Sequence, residues 1–173
     1  VDLKKIEYMN FQCTHADSIW QFAKGYKSVN EFSETIINEI NRLKSIPSLQ
    51  DSAIKLIERL ENHLKINPDP ELLSYYYVMK CRHAIEEQDQ SSTLKWHQKW
   101  QSFEPFANSN NIISHELDMG ISYYQQNKFD STIICFNKAL DVSENSNDTF
   151  YRGILLLNLG ATFYKVNMYK SAS

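Results

Sequence analysis

The sequence has few residues that interrupt helices, with 4 Gly and 4 Pro among its 173 residues. It also has only 3 Cys, at Cys13, Cys81 and Cys135, and no Cys-x-x-Cys pair. An odd, scattered set of cysteines fits neither a disulfide framework nor a zinc knuckle, so we expect a reducing, cytoplasmic setting. No apolar run approaches the roughly 20 residues that a membrane-spanning helix needs, so we expect no membrane partner.

Charge of neither sign is in large excess. The net charge is −3, with 18 Lys and Arg against 21 Asp and Glu. This balance argues against the long phosphate-neutralising surface of a nucleic-acid binder, so we expect no direct nucleic-acid contact by this segment. Apolar residues make up 42% of the chain and charged residues 23%, close to the average of globular proteins. The composition predicts a soluble, folded protein.

The sequence motifs of common enzymes are also missing. There is no glycine-rich phosphate loop, no Gly-x-Ser-x-Gly elbow and no His-Glu-x-x-His metal motif. The histidines lack partners at a metal-ligand spacing, and we expect them on helix surfaces or interfaces. We therefore predict no enzyme activity, no catalytic residue, no metal site and no cofactor. The histidines are His15, His63, His83, His97 and His115.

What the sequence does contain is an internal period of 40 residues. Small and aromatic residues recur at this offset, as do a turn-forming Asn and a small or hydroxyl residue. The matching pairs are Gly120 and Gly160, Tyr123 and Phe163, Asn127 and Asn167, Phe129 and Tyr169, and Thr132 and Ala172. A small residue lets two helices approach closely, and the aromatic residues fill the groove between them. These positions resemble those of a tetratricopeptide repeat.

The same offset sets the predicted boundaries. At the same offset of 40 residues toward the N-terminus, Trp96 aligns with Phe136 and Ser92 aligns with Thr132. This earlier unit matches the repeat pattern less closely. We predict repeats at 73–112, 113–152 and 153–173, the last ending just inside its second helix. Residues 1–72 are predicted to form an N-terminal helical bundle with a degenerate first helix pair.

Apolar residues recur at helical spacing, and no alternating strand pattern occurs. Asp69 before Pro70 marks a helix start, and Asp130 and Asp148 are further N-cap candidates. The fold class predicted is all-α, a tetratricopeptide-like right-handed helical repeat array behind an N-terminal bundle. Two stripes of the bundle are Val29, Phe32, Ile36, Ile40 and Leu43, followed by Ala53, Ile57, Leu60 and Leu64.

Two further stretches indicate which group of tetratricopeptide proteins the chain resembles. The segment from Leu72 to His83, Leu-Leu-Ser-Tyr-Tyr-Tyr-Val-Met-Lys-Cys-Arg-His, resembles the Leu-Leu-x-Tyr-Tyr…Met…Arg-His segment of the Rap proteins. Residues 37–40 and 53–56 are similar to their N-terminal bundle. The Rap, Rgg, NprR and PlcR group of peptide-sensing regulators likewise has repeats near 40 residues in length.

This resemblance implies a cytoplasmic quorum-sensing-type regulator whose repeats bind a short signalling peptide. A transcriptional regulator of this group would carry its DNA-binding domain outside the segment, since no helix-turn-helix precedes Ser28. A Rap-like response-regulator phosphatase or inhibitor is an alternative. In Rap phosphatases a glutamine just before the tyrosine-rich segment assists hydrolysis, and Pro70 stands at that place here. A generic scaffold, binding a protein partner or a second copy through its repeats, is the other alternative.

Asn158 lies two residues before the small position Gly160, where tetratricopeptide proteins often place an Asn that bonds a ligand backbone. An amide suits peptide capture because it offers both a donor and an acceptor, although capping or bridging of repeats would explain it equally well. The aromatic stripe from Trp96 to Phe106 fits core packing better than a ligand box. The predicted peptide-binding residues are Asn158, Tyr124, Gln125, Tyr164, Lys165 and Asp118.

Overall fold

All regular structure in the computed structural model is helical over the residues that it describes, 15–26, 29–146 and 148–172. This confirms the predicted all-α class. Two short 3₁₀ turns, Pro47–Leu49 and Glu104–Phe106, accompany the α-helices. None of the helices in these ranges has both the length and the apolar character needed to cross a bilayer. The α-helices are α1 (Ala16–Ala23), α2 (Val29–Lys44), α3 (Gln50–Ile66), α4 (Pro70–Glu86), α5 (Gln90–Gln101), α6 (Ser109–Gln125), α7 (Phe129–Asn145) and α8 (Thr149–Ala172).

The chain divides into two compact units, Val1–Tyr75 and Tyr76–Ser173. The first unit is built on the buried faces of α1, α2 and α3. Ile36 and Ile40 are fully buried in α2, as their spacing predicts, whereas the side chain of Val29 lies outside the described set. In α3 the buried stripe passes through Leu56, and Ile57 on the other flank is only half-buried.

Three aromatic rings pack together in this bundle. Trp20 packs edge-on against Phe32 and His63, with ring centroids 5.3 Å and 5.6 Å away. Burial lowers the pKa of His63 below its usual value. The neutral imidazole therefore acts here as a packing ring, in keeping with the expected interface role of the histidines.

From Pro70 onward the chain repeats a pair of helices joined by a tight turn. α4 and α5 begin at residues 70 and 90, and α6 and α7 begin at residues 109 and 129. The turns match as well, because Gln88 and Asn127 both have positive φ, of 56° and 58°. One turn into the second helix of each pair, the hydroxyls of Thr93 and Thr132 donate to the backbone oxygen four residues earlier, at 2.8 and 3.1 Å. The two pairs are thus equivalent.

The offset between these pairs is 39 residues, from 70 to 109, rather than the predicted 40. Thr93, not Ser92, corresponds to Thr132, and His97, not Trp96, corresponds to Phe136. α5 stops early at Gln101, and a 3₁₀ turn around Pro105 links it to α6. α8 begins at residue 149, 40 residues after α6, so the predicted offset holds for that helix.

Close packing of α6 on α7 depends on Gly120. A Cβ at this position would lie 3.1 Å from Cζ of Phe136 and closer still to two other carbons of the same ring. Phe136 is 1% exposed and belongs to a buried cluster with Ile113, Ala139 and Leu155. The predicted role of a small residue at position 120 is therefore confirmed, whereas a Cβ at Gly160 would meet nothing within 4 Å.

α8 is longer than the other helices and continues to Ala172. The 40-residue period predicts a turn at Asn167, equivalent to Asn127, with a second helix after it. The structure instead keeps Asn167 inside α8. Continuing α8 through this position adds one hydrogen bond per residue without the cost of a new helix nucleus.

Two of the three predicted caps are confirmed. The side chain of Asp69 accepts from the backbone N–H of Leu72 at 2.8 Å, and that of Asp148 accepts from Tyr151 at 3.0 Å. The prediction for Asp130 is wrong, because α7 already begins at Phe129 and Asp130 lies in its first turn. Its negative charge still favours the positive end of the helix dipole there.

Candidate functional site

We call the side of α6 and α8 that carries Asp118, Gln125, Asn158 and Lys165 the inner side of the second unit. There a half-exposed ion pair joins α4 to α6. Arg82 Nε donates to Asp118 Oδ2 at 2.7 Å, and another Arg82 nitrogen bonds the Ser114 hydroxyl. Burial raises the pKa of Asp118, and the Arg82 guanidinium opposes that rise. The pair positions Asp118 on one side of α6, and Gln125, seven residues later, is exposed on that same side.

On α8 two of the predicted residues share a side. Asn158 and Lys165 are seven residues apart, so they lie two turns from each other along one face, and both are half-buried. The Asn158 Nδ2 donates to the Ile154 backbone oxygen of its own helix at 3.0 Å. This bond leaves the Asn158 Oδ1 to accept a hydrogen bond from a ligand N–H, since an amide oxygen has two lone pairs.

The two predicted tyrosines lie elsewhere. Tyr164 is 69% exposed and six residues from Asn158, a spacing that turns it toward a different face of α8. Tyr124 packs edge-on against Phe129, with ring centroids 5.9 Å apart. The structure therefore brings Asp118 with Gln125, and Asn158 with Lys165, onto common helix faces, and places the tyrosines outside both pairs.

A second feature is a buried polar cluster between α5, α6 and α7, which sequence reasoning missed. The Lys138 Nζ lies 2.8 Å from Oε1 of Glu116 and 2.6 Å from Oε1 of Glu104. The Glu116 side chain is only 4% exposed. Burial works against the charge on Lys138, but the bonds to the two carboxylates raise its pKa above the usual value. Lys138 thus remains a cation that neutralises a buried carboxylate.

Two histidines complete this cluster. His97 Nδ1 and His115 Nε2 are 2.9 Å apart, and the rings stack with an interplanar angle of 13°. Burial lowers the pKa of His115 to about 2, and the His97, Lys138 and Arg82 charges act in the same direction. Burial also lowers the pKa of His97, so both rings are neutral near pH 7, and one donates its N–H to the other. Their 18-residue separation shows no motif, so only the fold reveals the pair.

Trp100, which belongs to the aromatic stripe from Trp96 to Phe106, packs against the cluster. Its ring centroid is 3.8 Å from that of His115, and the Lys138 Nζ lies 5.4 Å over it. Trp100 is fully buried, whereas Phe106 at the end of the stripe is 53% exposed. The core interpretation is therefore confirmed for Trp100 and wrong for Phe106.

The cluster holds no reactive nucleophile. Burial raises the pKa of the thiols of Cys81 and Cys135 to about 12, so neither is a thiolate at neutral pH. Within the part of the chain that the structure describes, no three His, Cys, Asp or Glu side chains are arranged to hold a metal ion. Cys13 lies outside that part. The ion pairs link α6, α7 and the 3₁₀ turn Glu104–Phe106, and the histidine pair links α5 to α6.

A third feature is the outer side of α8, which is apolar and exposed. Leu156 and Leu157 are 53% and 77% exposed, and Phe163 is 50% exposed. Gly153 and Gly160 lie among them, and a Cβ at either would meet nothing within 4 Å. We call Gly153, Leu156, Leu157, Gly160, Phe163 and Tyr164 the outer face of α8.

Comparison with known proteins gives no relative. The chain has no significant match to any family model, curated protein or solved structure.

Proposed function

We propose that the second unit is a tetratricopeptide-like module that binds a short extended peptide. The observation that carries this proposal is the equivalence of the α4–α5 and α6–α7 pairs, with matching turns at Gln88 and Asn127. Stacked helix pairs of this kind align their first helices side by side and form an extended binding surface. Here α4, α6 and α8 are those first helices.

The polar groups on this surface suit a peptide backbone. An extended chain needs both donors and acceptors along its length, because it satisfies few of its own backbone groups. Asn158 offers its Oδ1, Gln125 offers a full amide, and Asp118 and Lys165 add one charge of each sign.

The role that this binding serves is the sensing step of a cytoplasmic quorum-sensing-type regulator, similar to the Rap, Rgg, NprR and PlcR group. The tyrosine-rich α4, from Leu72 to His83, supports this assignment by its resemblance alone. Of the two outputs in that group, transcriptional control fits better than phosphatase activity. Pro70 opens α4 as its first residue and has no side-chain amide to position a water.

Selection from a random library of linear peptides of about five to ten residues tests the binding proposal. A selected peptide should protect backbone amides of α6 and α8 from hydrogen exchange on their inner side. Protection confined to other helices, or no selected binder, would contradict it. For the output, the chain should release no phosphate from a phosphorylated response regulator, and measurable release would favour the phosphatase instead.

A further inference from the structure

The outer face of α8 repeats, 40 residues later, the surface by which α6 holds α7. Gly160 corresponds to Gly120, Phe163 to Tyr123 and Leu156 to Glu116. On α6 these positions are covered by α7, whose Phe136 ring fills the space above Gly120. On α8 the same positions are exposed, and nothing within 4 Å would meet a Cβ at Gly160. Gly160 therefore lacks the aromatic ring that covers Gly120 on α6.

We infer that the outer face of α8 docks an amphipathic helix that places a large aromatic side chain on Gly160, as α7 places Phe136 on Gly120. The docked helix runs antiparallel to α8. On α7 the contact uses Thr132, Phe136 and Ala139, which are at most 1% exposed. The partner helix therefore carries a small or hydroxyl residue four positions before its aromatic residue and an alanine three positions after it.

A difference in charge between the two faces specifies the partner further. Glu116 of α6 pairs with Lys138 of α7, whereas α8 has Leu156 at the equivalent position. A lysine there would lose its carboxylate and be desolvated against leucine, which is unfavourable. The docked helix therefore has an apolar residue two positions after its aromatic residue, where α7 has Lys138.

A helix fits this face better than an extended peptide. The outer face consists of glycine, leucine and aromatic side chains, and only the Tyr164 hydroxyl adds a polar side-chain group. An extended backbone laid on it would lack partners for its N–H and C=O groups, whereas a helix satisfies its own. This surface is separate from the inner side that the proposed function uses, and the inference does not depend on that proposal.

The probe is a synthetic 17-residue peptide with the sequence of α7, Phe129–Asn145, in which Lys138 is replaced by leucine and Cys135 by alanine. Labelled peptide is titrated into the whole 173-residue chain and followed by fluorescence anisotropy. We expect saturable binding that weakens on the order of a hundredfold when the peptide carries Phe136→Ala. The peptide that retains Lys138 should bind more weakly than the leucine version.

On the protein side, Gly160→Leu places a side chain where the aromatic ring of the docked helix would lie and should abolish binding. Because the added side chain points into open space, this variant should keep its thermal stability. Glu144→Leu, an exposed change on α7, is the matched control and should leave binding unchanged. Equal binding by Gly160→Leu and wild type, or no binding by wild type, would overturn the inference. A wild-type dimer in sedimentation that becomes monomeric in Gly160→Leu would also overturn it, assigning the face to a second copy.

Discussion

The Phe136 ring of α7 occupies the space that a side chain at Gly120 of α6 would need. Phe136 is 1% exposed, so the ring has no room to move aside without disturbing the cluster around it. This contact determines how closely the second helix of a pair approaches the first. The exposed Gly160, in the equivalent position on α8, provides an internal comparison.

Alanine substitutions at the two glycines should therefore act in opposite directions. Gly120→Ala should lower the free energy of unfolding by about 1–2 kcal/mol, because overpacking outweighs the gain in helix propensity. Gly160→Ala should raise it by about 0.5–1 kcal/mol, since only the propensity gain remains. Urea denaturation of the two variants and the wild type measures both changes. Equal effects of the two substitutions would show that the Gly120 contact is not tight.

The buried histidine His115 should make stability fall in mild acid. Its pKa is about 2 in the folded chain and 6.5 in the unfolded chain. Below pH 6.5 the unfolded state therefore binds a proton that the folded state does not. The free energy of unfolding should lose about 1.4 kcal/mol per pH unit from this group as pH falls. Above pH 6.5 His115 makes its full contribution to the free energy of unfolding.

Replacing His115 with glutamine should reduce that slope between pH 6.5 and about pH 5, above the range in which most carboxylates titrate. The slope is the quantity compared, so a general loss of stability in the variant does not affect the result. Asn137→Ala, at an exposed asparagine of α7, changes no titratable group and is the control, whose slope should match that of the wild type. An unaltered slope in His115→Gln would contradict the assignment of a neutral, buried imidazole.

Lys138 should be required only because Glu116 is charged and buried. Lys138→Met leaves the Glu116 carboxylate, 4% exposed, without its cation and should cost on the order of 1–3 kcal/mol. Adding Glu116→Gln to that variant should recover part of the loss, because the uncompensated charge is gone. Lys55→Met, at an exposed lysine of α3, is the matched control. Thermal or urea unfolding measures these three variants and the wild type, and a double variant no more stable than Lys138→Met would refute the coupling.

Much of the fold can be predicted from local features of the sequence. Apolar residues such as Ile36 and Ile40 recur at helical spacing, Asp69 with Pro70 marks a helix start, and Gly120 stands at a close helix contact. Each of these signals acts within one helix or one turn, so a single sequence displays it. The exact repeat length was not predictable in the same way, because the short α5 and the turn around Pro105 remove one residue without a periodic signal.

The polar cluster is invisible in the sequence for a physical reason. Lys138 and Glu116 are 22 positions apart, from 116 to 138, and His97 and His115 lie on different helices. No spacing rule links such residues until the helices pack. The separation of Tyr164 from Asn158, in contrast, follows from their six-residue spacing on one helix, so the sequence already contained it.

Calorimetric titration of a library-selected peptide decides whether the inner side of α6 and α8 binds an extended peptide. Asn158→Ala removes the Oδ1 acceptor and should weaken binding by roughly five- to hundredfold, or about 1–3 kcal/mol. Its melting temperature should barely change, because the lost Ile154 bond is internal to α8. Asn137→Ala, at an exposed asparagine of α7, should bind as wild type does. Unchanged affinity in Asn158→Ala, or an equal loss in Asn137→Ala, would contradict the claim.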